Sequence, residues 1–454
     1  MEEKDDLEYI GGENVNKKNS DDAVKSGGRS TGSGKEKKEN RKKLPLPVRI
    51  IIGILIGLIV ICIVAACVFF AMRSSGKRKL YSGANSSAPD MGNMFTDGTD
   101  NNNTDAEETS SEKSSDSENE SKTENGSTAS ETDTTSAASS TESANQSTST
   151  ASGETTVSTE ADNSGYVYQA GDVSYNGHIY RYNSDILTFL VLGIDQTTTV
   201  PVADENTDYW QGGQSDAIFL FVMNPHNKKL SVLAVNRNSM TDVDMYDRAG
   251  NYVKTTLAQV CVQHGYGNGG KQSCERARQT ISEMLYNLPI HGYVSIRLGA
   301  VTTLNDAVGG VDVTLPSDFP QYGWTAGSTV HLSGDQAYNL IRYRDRYQFD
   351  SATTRLGNEK AFLSGFVNKV FEKTKSDVTF PVSLYQTISN YVVTDVSVDE
   401  MSYLASELIG YAVSDMKVYS VPGQTIMGKK FEEYYIDEAA LKAQMIEIFY
   451  ELVK

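Results

Sequence analysis

The chain has 454 residues, a formal net charge of −18 and only 4 cysteines. The length admits two or three domains, and so acidic a balance excludes nucleic acid as a partner. The acid is concentrated: residues 81–165 carry −15, residues 1–80 carry +6, and −9 remains for residues 166–454.

Residues 1–49 read as a polar, basic tail. Residues 50–72, IIIGILIGLIVICIVAACVFFAM, form an uncharged run of 23. At about 1.5 Å per residue it reaches the roughly 30 Å of a bilayer core. It starts too late for a cleaved leader, so a retained transmembrane helix is expected. The flank KEKKENRKKLPLPVR (35–49) holds 7 Lys and Arg against 4 in RSSGKRK (73–79). That bias puts the N-terminus in the cytoplasm and the rest outside the cell membrane. Residues 73–165 are rich in Ser, Thr, Asp and Glu. From Thr96 to Gly165 the one large apolar residue is Val157. Such a segment buries too little surface to offset chain entropy, so a disordered, solvated tether is expected, with a glycosylated stalk as the alternative.

Residues 166–454 are expected to fold around one core. DILTFLVLGID (185–195) reads as a buried strand. DAIFLFVM (216–223) and LSVLAVN (230–236) read as two antiparallel strands about a turn. A helix is expected over 273–287 with Ser273 as its cap, then a strand at 293–298, a helix at 299–310 stopped by Gly309 and Gly310, and a strand at 311–315. LSGDQAYNLIRYR (332–344) opens with the S-x-x-Q spacing of a capping box, Ser333 to Gln336. RLGNEKAFLSGFVNKVFEK (355–373) carries apolar residues at helical spacing. The last 80 residues offer two or three helices and a strand near 416–423. The fold class expected is mixed α/β, a mostly β central sheet with helices on both faces in three layers. Cys261 and Cys274 are candidates for a disulfide, two buried thiols being the alternative.

GYGNGGK (265–271) matches glycine-rich phosphate-loop patterns, but Gln272 stands where such a loop needs Ser or Thr. It reads as a turn, and no nucleotide is expected. RYRDRYQFDSATTR (342–355) is more informative. Arg342 and Arg344 point about 200° apart on a continuing helix. They converge only if the helix ends there. Arg355 then falls in the first turn of the next helix, where backbone N–H groups favour an anion. Guanidinium forks match phosphate oxygens, so a pyrophosphate is a candidate partner, and pairing with local carboxylates is the alternative. Asp195 and Asp216 at strand ends, with Arg237 at the end of a third strand, suit a magnesium–phosphate site.

The pieces LVLGID (190–195), SDA (215–217), LAVNR (233–237), NDAVGGVDV (305–313), LSGDQAYNLIRYRD (332–345) and DSATTRL (350–356) resemble the LytR–CpsA–Psr family, closely over 180–370. The layout of tail, single anchor and outer domain is similar too. The resemblance implies a cell-wall assembly transferase of a Gram-positive-type envelope. Such an enzyme moves a glycopolymer from a polyprenyl pyrophosphate, lodged in an apolar tunnel, onto peptidoglycan. It implies that Asp195 and Asp216 hold Mg2+, that Arg237, Arg342, Arg344 and Arg355 bind the pyrophosphate, and that Arg237 and Arg344 are catalytic. The chain departs from the family at Thr197, Gln214, Asn238 and Asn358, where a charged group is usual, and at Glu359, where a neutral one is. A second reading is therefore a non-catalytic binding or regulatory protein on the same fold, holding a prenyl phosphate or wall polymer.

Overall fold

The computed structural model describes residues 65–82, 87–91, 166–201, 210–345 and 347–453. The expected tail, most of the apolar span, the stretch 92–165 and Arg346 lie outside them. Among the described residues no helix is long and apolar enough to cross a membrane.

Helix α1 covers 65–82. Strands β1 (Asp172–Tyr175) and β2 (His178–Tyr182) pair antiparallel. The three expected apolar runs become β3 (Leu187–Ile194), β4 (Ser215–Asn224) and β5 (Lys229–Val235), successive antiparallel neighbours. The hairpin β6 (Met240–Tyr246) and β7 (Tyr252–Gln259) follows. Next come α2 (Val262–Gly265), α3 (Lys271–Met284) and β8 (Gly292–Arg297). Helix α3 starts two residues before the expected cap. Ser273 lies inside it and its Oγ accepts from the Gly269 N–H at 2.8 Å. Helix α4 (Val301–Val308) stops at Gly309, whose φ of 86° suits a residue without Cβ.

Strands β9 (Val311–Thr314) and β10 (Thr329–Leu332) form a separate pair. Helices α5 (Gly334–Arg342), α6 (Ser351–Ser376) and α7 (Phe380–Ile388) lead to β11 (Val392–Thr394) and α8 (Val398–Leu408). The chain finishes with β12 (Lys417–Ser420), the hairpin β13 (Gly423–Met427) and β14 (Glu432–Ile436), α9 (Glu438–Phe449) and β15 (Tyr450–Leu452).

The central sheet is mixed and six-stranded, in the order β11-β8-β3-β4-β5-β12. Its β3–β8 and β5–β12 pairs are parallel and the others antiparallel. Side chains alternate across it, as strand geometry requires. Leu190, Leu192, Leu220 and Leu233 share one core with Ala277 and Ile281 of α3 and Leu441 and Met445 of α9. Phe219, Val232 and Ala234 pack instead with Leu356 of α6.

Residues 73–82, expected in the tether, belong instead to the folded unit. Leu80 is 3% exposed and shares a core with Leu187, Phe371 and Tyr403. Arg73 and Lys79 pair with Glu407 and Asp399 of α8. Met91 is buried in the core beneath α3 and α9. Two apolar anchors and two ion pairs suffice to hold a short segment that composition alone reads as polar.

The capping box at α5 is formed on both sides, with Gln336 Oε1 accepting from the Ser333 N–H at 2.9 Å. Ser333→Ala should therefore lower stability by about 1 kcal/mol, measured by chemical denaturation of the full chain.

Candidate functional site

The strand ends bring the charges together. In the β3–β4 ladder the register shifts between Gly193 and Ile194. A Cβ on Gly193 would lie 2.9 Å from the Ala217 Cβ, so only glycine lets the strands close here. The shift sets Asp195 beside Gln214, whose N–H donates to Asp195 Oδ1 at 2.8 Å.

Asp216, on β4, sits between two arginines from different elements. Its Oδ2 accepts from Arg355 Nη1 of α6 at 2.8 Å. Its Oδ1 lies 3.0 Å from Arg237 Nη1, just past β5, yet receives no hydrogen bond. Arg237 also donates to Gln214 Oε1 and, at 2.9 Å, to Cys261 Sγ. Helix α5 ends at Arg342, the condition for convergence. Arg342 then folds over Tyr338 and donates to its hydroxyl at 2.9 Å. Arg344 is fixed from the other side by Ser351 Oγ at 2.8 Å and faces Glu432 Oε2 of β14 at 3.7 Å. Partial desolvation lowers the Arg344 pKa, and the positive charges of Arg355 and Arg237 add to the effect. Arg355 is one turn deeper than its expected place, because α6 begins at Ser351. Asp350 precedes the helix, and its Oδ1 accepts from Thr353 Oγ1 at 2.6 Å.

All four arginines and both aspartates line one cavity of about 680 Å3. Apart from Thr197 and Glu359, the rest of its wall is apolar. The sheet supplies Val191, Phe219, Phe221 and Ile296, and the helices supply Leu304, Phe362, Leu363 and Phe366. The space is a hydrophobic slot with a cationic end.

Several polar atoms at that end are buried without a hydrogen bond: Asp216 Oδ1, Arg237 Nε, Arg355 Nε and Glu432 Oε2, though all but Arg237 Nε lie within ion-pair distance of an opposite charge. Orphaned buried groups are costly, and their clustering marks a place built for a polar ligand. Desolvation raises the Asp195 carboxyl above its ordinary range, and the charge of Asp216 adds to the rise. A cation would relieve that repulsion. Among the described residues no group of three or more His, Cys, Asp or Glu could hold a metal by itself. A cation here would have to complete its shell with ligand or water oxygens, a habit of Mg2+.

Glu359, noted from the sequence only as a departure, lines the same end, with Oε1 3.3 Å from Arg355 Nε. Burial pushes its carboxyl up to about 8, outweighing the opposite pull of Arg355 and Arg237. Its helical spacing of i+4 from Arg355 was visible in the sequence, whereas its burial was not. Glu432 gave no signal, because it reaches the site from a hairpin 88 positions beyond Arg344. Asn238 is buried and does not line the cavity.

Cys261 and Cys274 are free thiols, not the expected disulfide. Cys261 turns toward Arg237, whereas Cys274 enters the core beneath α3, 3.8 Å from His264 Nε2. The two thiols answer to different neighbours. Burial pushes Cys274 up to about 12.

Comparison with known proteins adds four findings. The model of the LytR_cpsA_psr family matches residues 128–448. A polyisoprenyl-teichoic acid–peptidoglycan teichoic acid transferase of Enterococcus faecalis is 26% identical over 242 residues, 52% of this chain and 71% of that one. The biofilm regulatory protein A of Streptococcus mutans is 26% identical over 275 residues, 57% of this chain and 62% of that one. Among solved structures, TagV of B. subtilis aligns with a TM-score of 0.44 at 20% identity, over 58% of this chain and 96% of that one.

The raised Glu359 gives a signed pH dependence. Below about 4.5 both folded and unfolded chains hold the proton and the associated stability is complete. As pH rises to about 8 the unfolded chain releases it first, and stability is lost. Wild type should therefore lose more stability than Glu359→Gln between pH 5 and 8 in paired denaturation curves; parallel curves would contradict the assignment.

Proposed function

Because the chain belongs to the LytR_cpsA_psr family, we propose that it is a membrane-anchored transferase that moves a glycopolymer from a polyprenyl-pyrophosphate carrier onto peptidoglycan. The carrying observation is the apolar cavity that ends in Arg237, Arg342, Arg344 and Arg355. Its two parts suit the two parts of the carrier: a hydrocarbon chain along Phe219, Phe221, Leu363 and Phe366, and a pyrophosphate at the arginines. The anchor is the span 50–72, with the N-terminus in the cytoplasm and the folded domain outside, in a Gram-positive-type envelope.

The roles follow from the contacts. Arg355 and Arg237 are preset by Asp216, so they need little reorganisation when phosphate oxygens replace part of that pairing. Arg344, held through Ser351, turns its remaining donors toward the same end. When the pyrophosphate linkage breaks and prenyl phosphate leaves, Arg237 and Arg344 stabilise the departing negative charge. Mg2+, held by Asp195 and Asp216 when bound, would neutralise further phosphate charge. Glu359 is a buried carboxyl of the site pushed up to about 8, which suits a group that exchanges a proton there.

A second reading, a protein that holds the carrier or wall polymer in a regulatory role without transfer, is favoured by one observation. Gln214 and Asn238, at positions usually charged in the family, are neutral, and the Asn238 side chain is buried away from the cavity. Transfer of a labelled glycopolymer from its lipid carrier to peptidoglycan separates the two readings.

Calorimetry on the full chain in detergent tests the binding step that both share. A prenyl pyrophosphate should bind more tightly with Mg2+, and Arg344→Ala should weaken it roughly ten- to hundredfold, the size of one or two charge-assisted hydrogen bonds. No binding by folded wild type would leave the arginines as partners of their carboxylates alone. Leu363→Trp fills the slot without touching the charges. It should reduce prenyl pyrophosphate binding and spare inorganic pyrophosphate, whereas equal loss of both would mean the walls do not seat the lipid.

A further inference from the structure

The hairpin β13–β14 has an unusual tip. Its turn is closed by the Gly428 N–H donating to the Phe431 carbonyl at 2.9 Å. Around the turn Ile426, Met427 and Phe431 are 42%, 63% and 68% exposed, and Lys429 and Lys430 are exposed beside them. Glu433 lies against Gly428 of the turn, and its Oε2 accepts from the Tyr435 hydroxyl at 2.9 Å. Two more exposed aromatics stand alongside. Tyr347 and Phe349 precede Asp350, which is tied to the hairpin twice. Its Oδ1 accepts from Thr425 Oγ1 at 2.5 Å and its N–H donates to Glu432 Oε1 at 2.9 Å. Glu432 in turn faces Arg344, so this patch adjoins the cationic end of the cavity.

We propose that this tip is a membrane-contact surface, which enters the interface of an anionic lipid bilayer and sets the arginine end of the cavity against it. The inference rests on the proposed function, because a carrier lipid must pass from a bilayer to the arginines. Clustered apolar side chains beside exposed lysines are the composition of interfacial anchors: the chains enter the acyl boundary and the lysines meet lipid phosphates. A glycan surface would instead present flat aromatic faces with polar partners, which Ile426 and Met427 do not offer.

The position of the chain exit relative to the tip follows from chain direction. Helix α8 leads from β11 at one edge of the central sheet to β12 at the other. Helix α1 runs antiparallel to it, since Lys79 pairs with Asp399 near the start of α8 and Arg73 with Glu407 near its end. The chain before Arg73, which leads back to the proposed anchor, therefore leaves on the β12 edge. The hairpin β13–β14 follows β12 at the end where Ser420 pairs with Ala234, whereas Glu407 also meets Lys228 beside the start of β5, so the exit and the hairpin lie at the two ends of that edge. Val68 and Phe70, further along the same exit, are also exposed.

The test uses the full chain in vesicles of phosphatidylglycerol and phosphatidylcholine. Flotation with the vesicles first checks the membrane reading itself, and failure to float would overturn both that reading and this one. Phe431→Trp then reports on the tip. Its emission should shift to the blue, and brominated lipids should quench it at least twofold more than they quench the native Trp210 and Trp324. The additional changes Lys429→Glu and Lys430→Glu should cut the excess quenching to less than half, as should vesicles without phosphatidylglycerol. A chain that floats but shows no excess quenching overturns the tip proposal and leaves the membrane reading standing. So does a blue shift produced by soluble peptidoglycan fragments and not by lipid, which would make the patch an acceptor surface.

Discussion

The Asp216 carboxylate is the interaction on which the site depends. It joins Arg237, at the end of β5, to Arg355, one turn inside α6, and so ties the central sheet to the helix that roofs the cavity. Removing two guanidinium groups and a carboxylate from water is costly, and their mutual attraction repays it only with good geometry. Here the geometry is incomplete: Asp216 Oδ1 and two guanidinium Nε atoms lack hydrogen-bond partners. A folded protein concerned only with stability would fill this end with apolar side chains. Conflict of this kind is concentrated where function resides.

The same pairing explains why the cavity stays open. Helix α6 is held at its N-terminal end by charge and further along by Phe371 in a separate core. Between these points Phe362, Leu363 and Phe366 face the sheet across a gap in place of close packing. The neighbouring core of α3 and α9 on the other sheet face has Leu190, Leu192 and Leu220 fully buried. One face of the sheet is filled by that core, whereas the other combines packing of Phe219, Val232 and Ala234 against Leu356 with the slot.

Much of this was legible in advance. The strands 187–194, 215–224 and 229–235 follow from unbroken β-branched and aromatic runs, and the end of α4 follows from Gly309. The two hairpins β6–β7 and β13–β14 were not legible, because only Val243 and Tyr434 among their strand residues are buried and the rest give no core-facing alternation. The docking of 73–82 and of Met91 was hidden for the opposite reason. A few residues, Leu80 and Met91 among them, outweigh a polar surrounding only when their receiving cores already exist. The separate fates of Cys261 and Cys274 were likewise undecided by a spacing of 13 residues, since either pairing or separation fits it.

The sequence by itself determined the central strands, the capped helix that ends at Arg342, and the motif order that marks the family, because each is encoded within a dozen residues by periodicity and turn chemistry. Only the tertiary structure decided that Arg237, Arg342, Arg344 and Arg355 meet at one end of an apolar slot, with Glu359 buried among them and Glu432 arriving from a distant hairpin. Local sequence fixes which way a side chain leaves its own element. Convergence, burial and the pKa shifts that follow depend on how separate elements pack, and packing sums contacts across the whole chain.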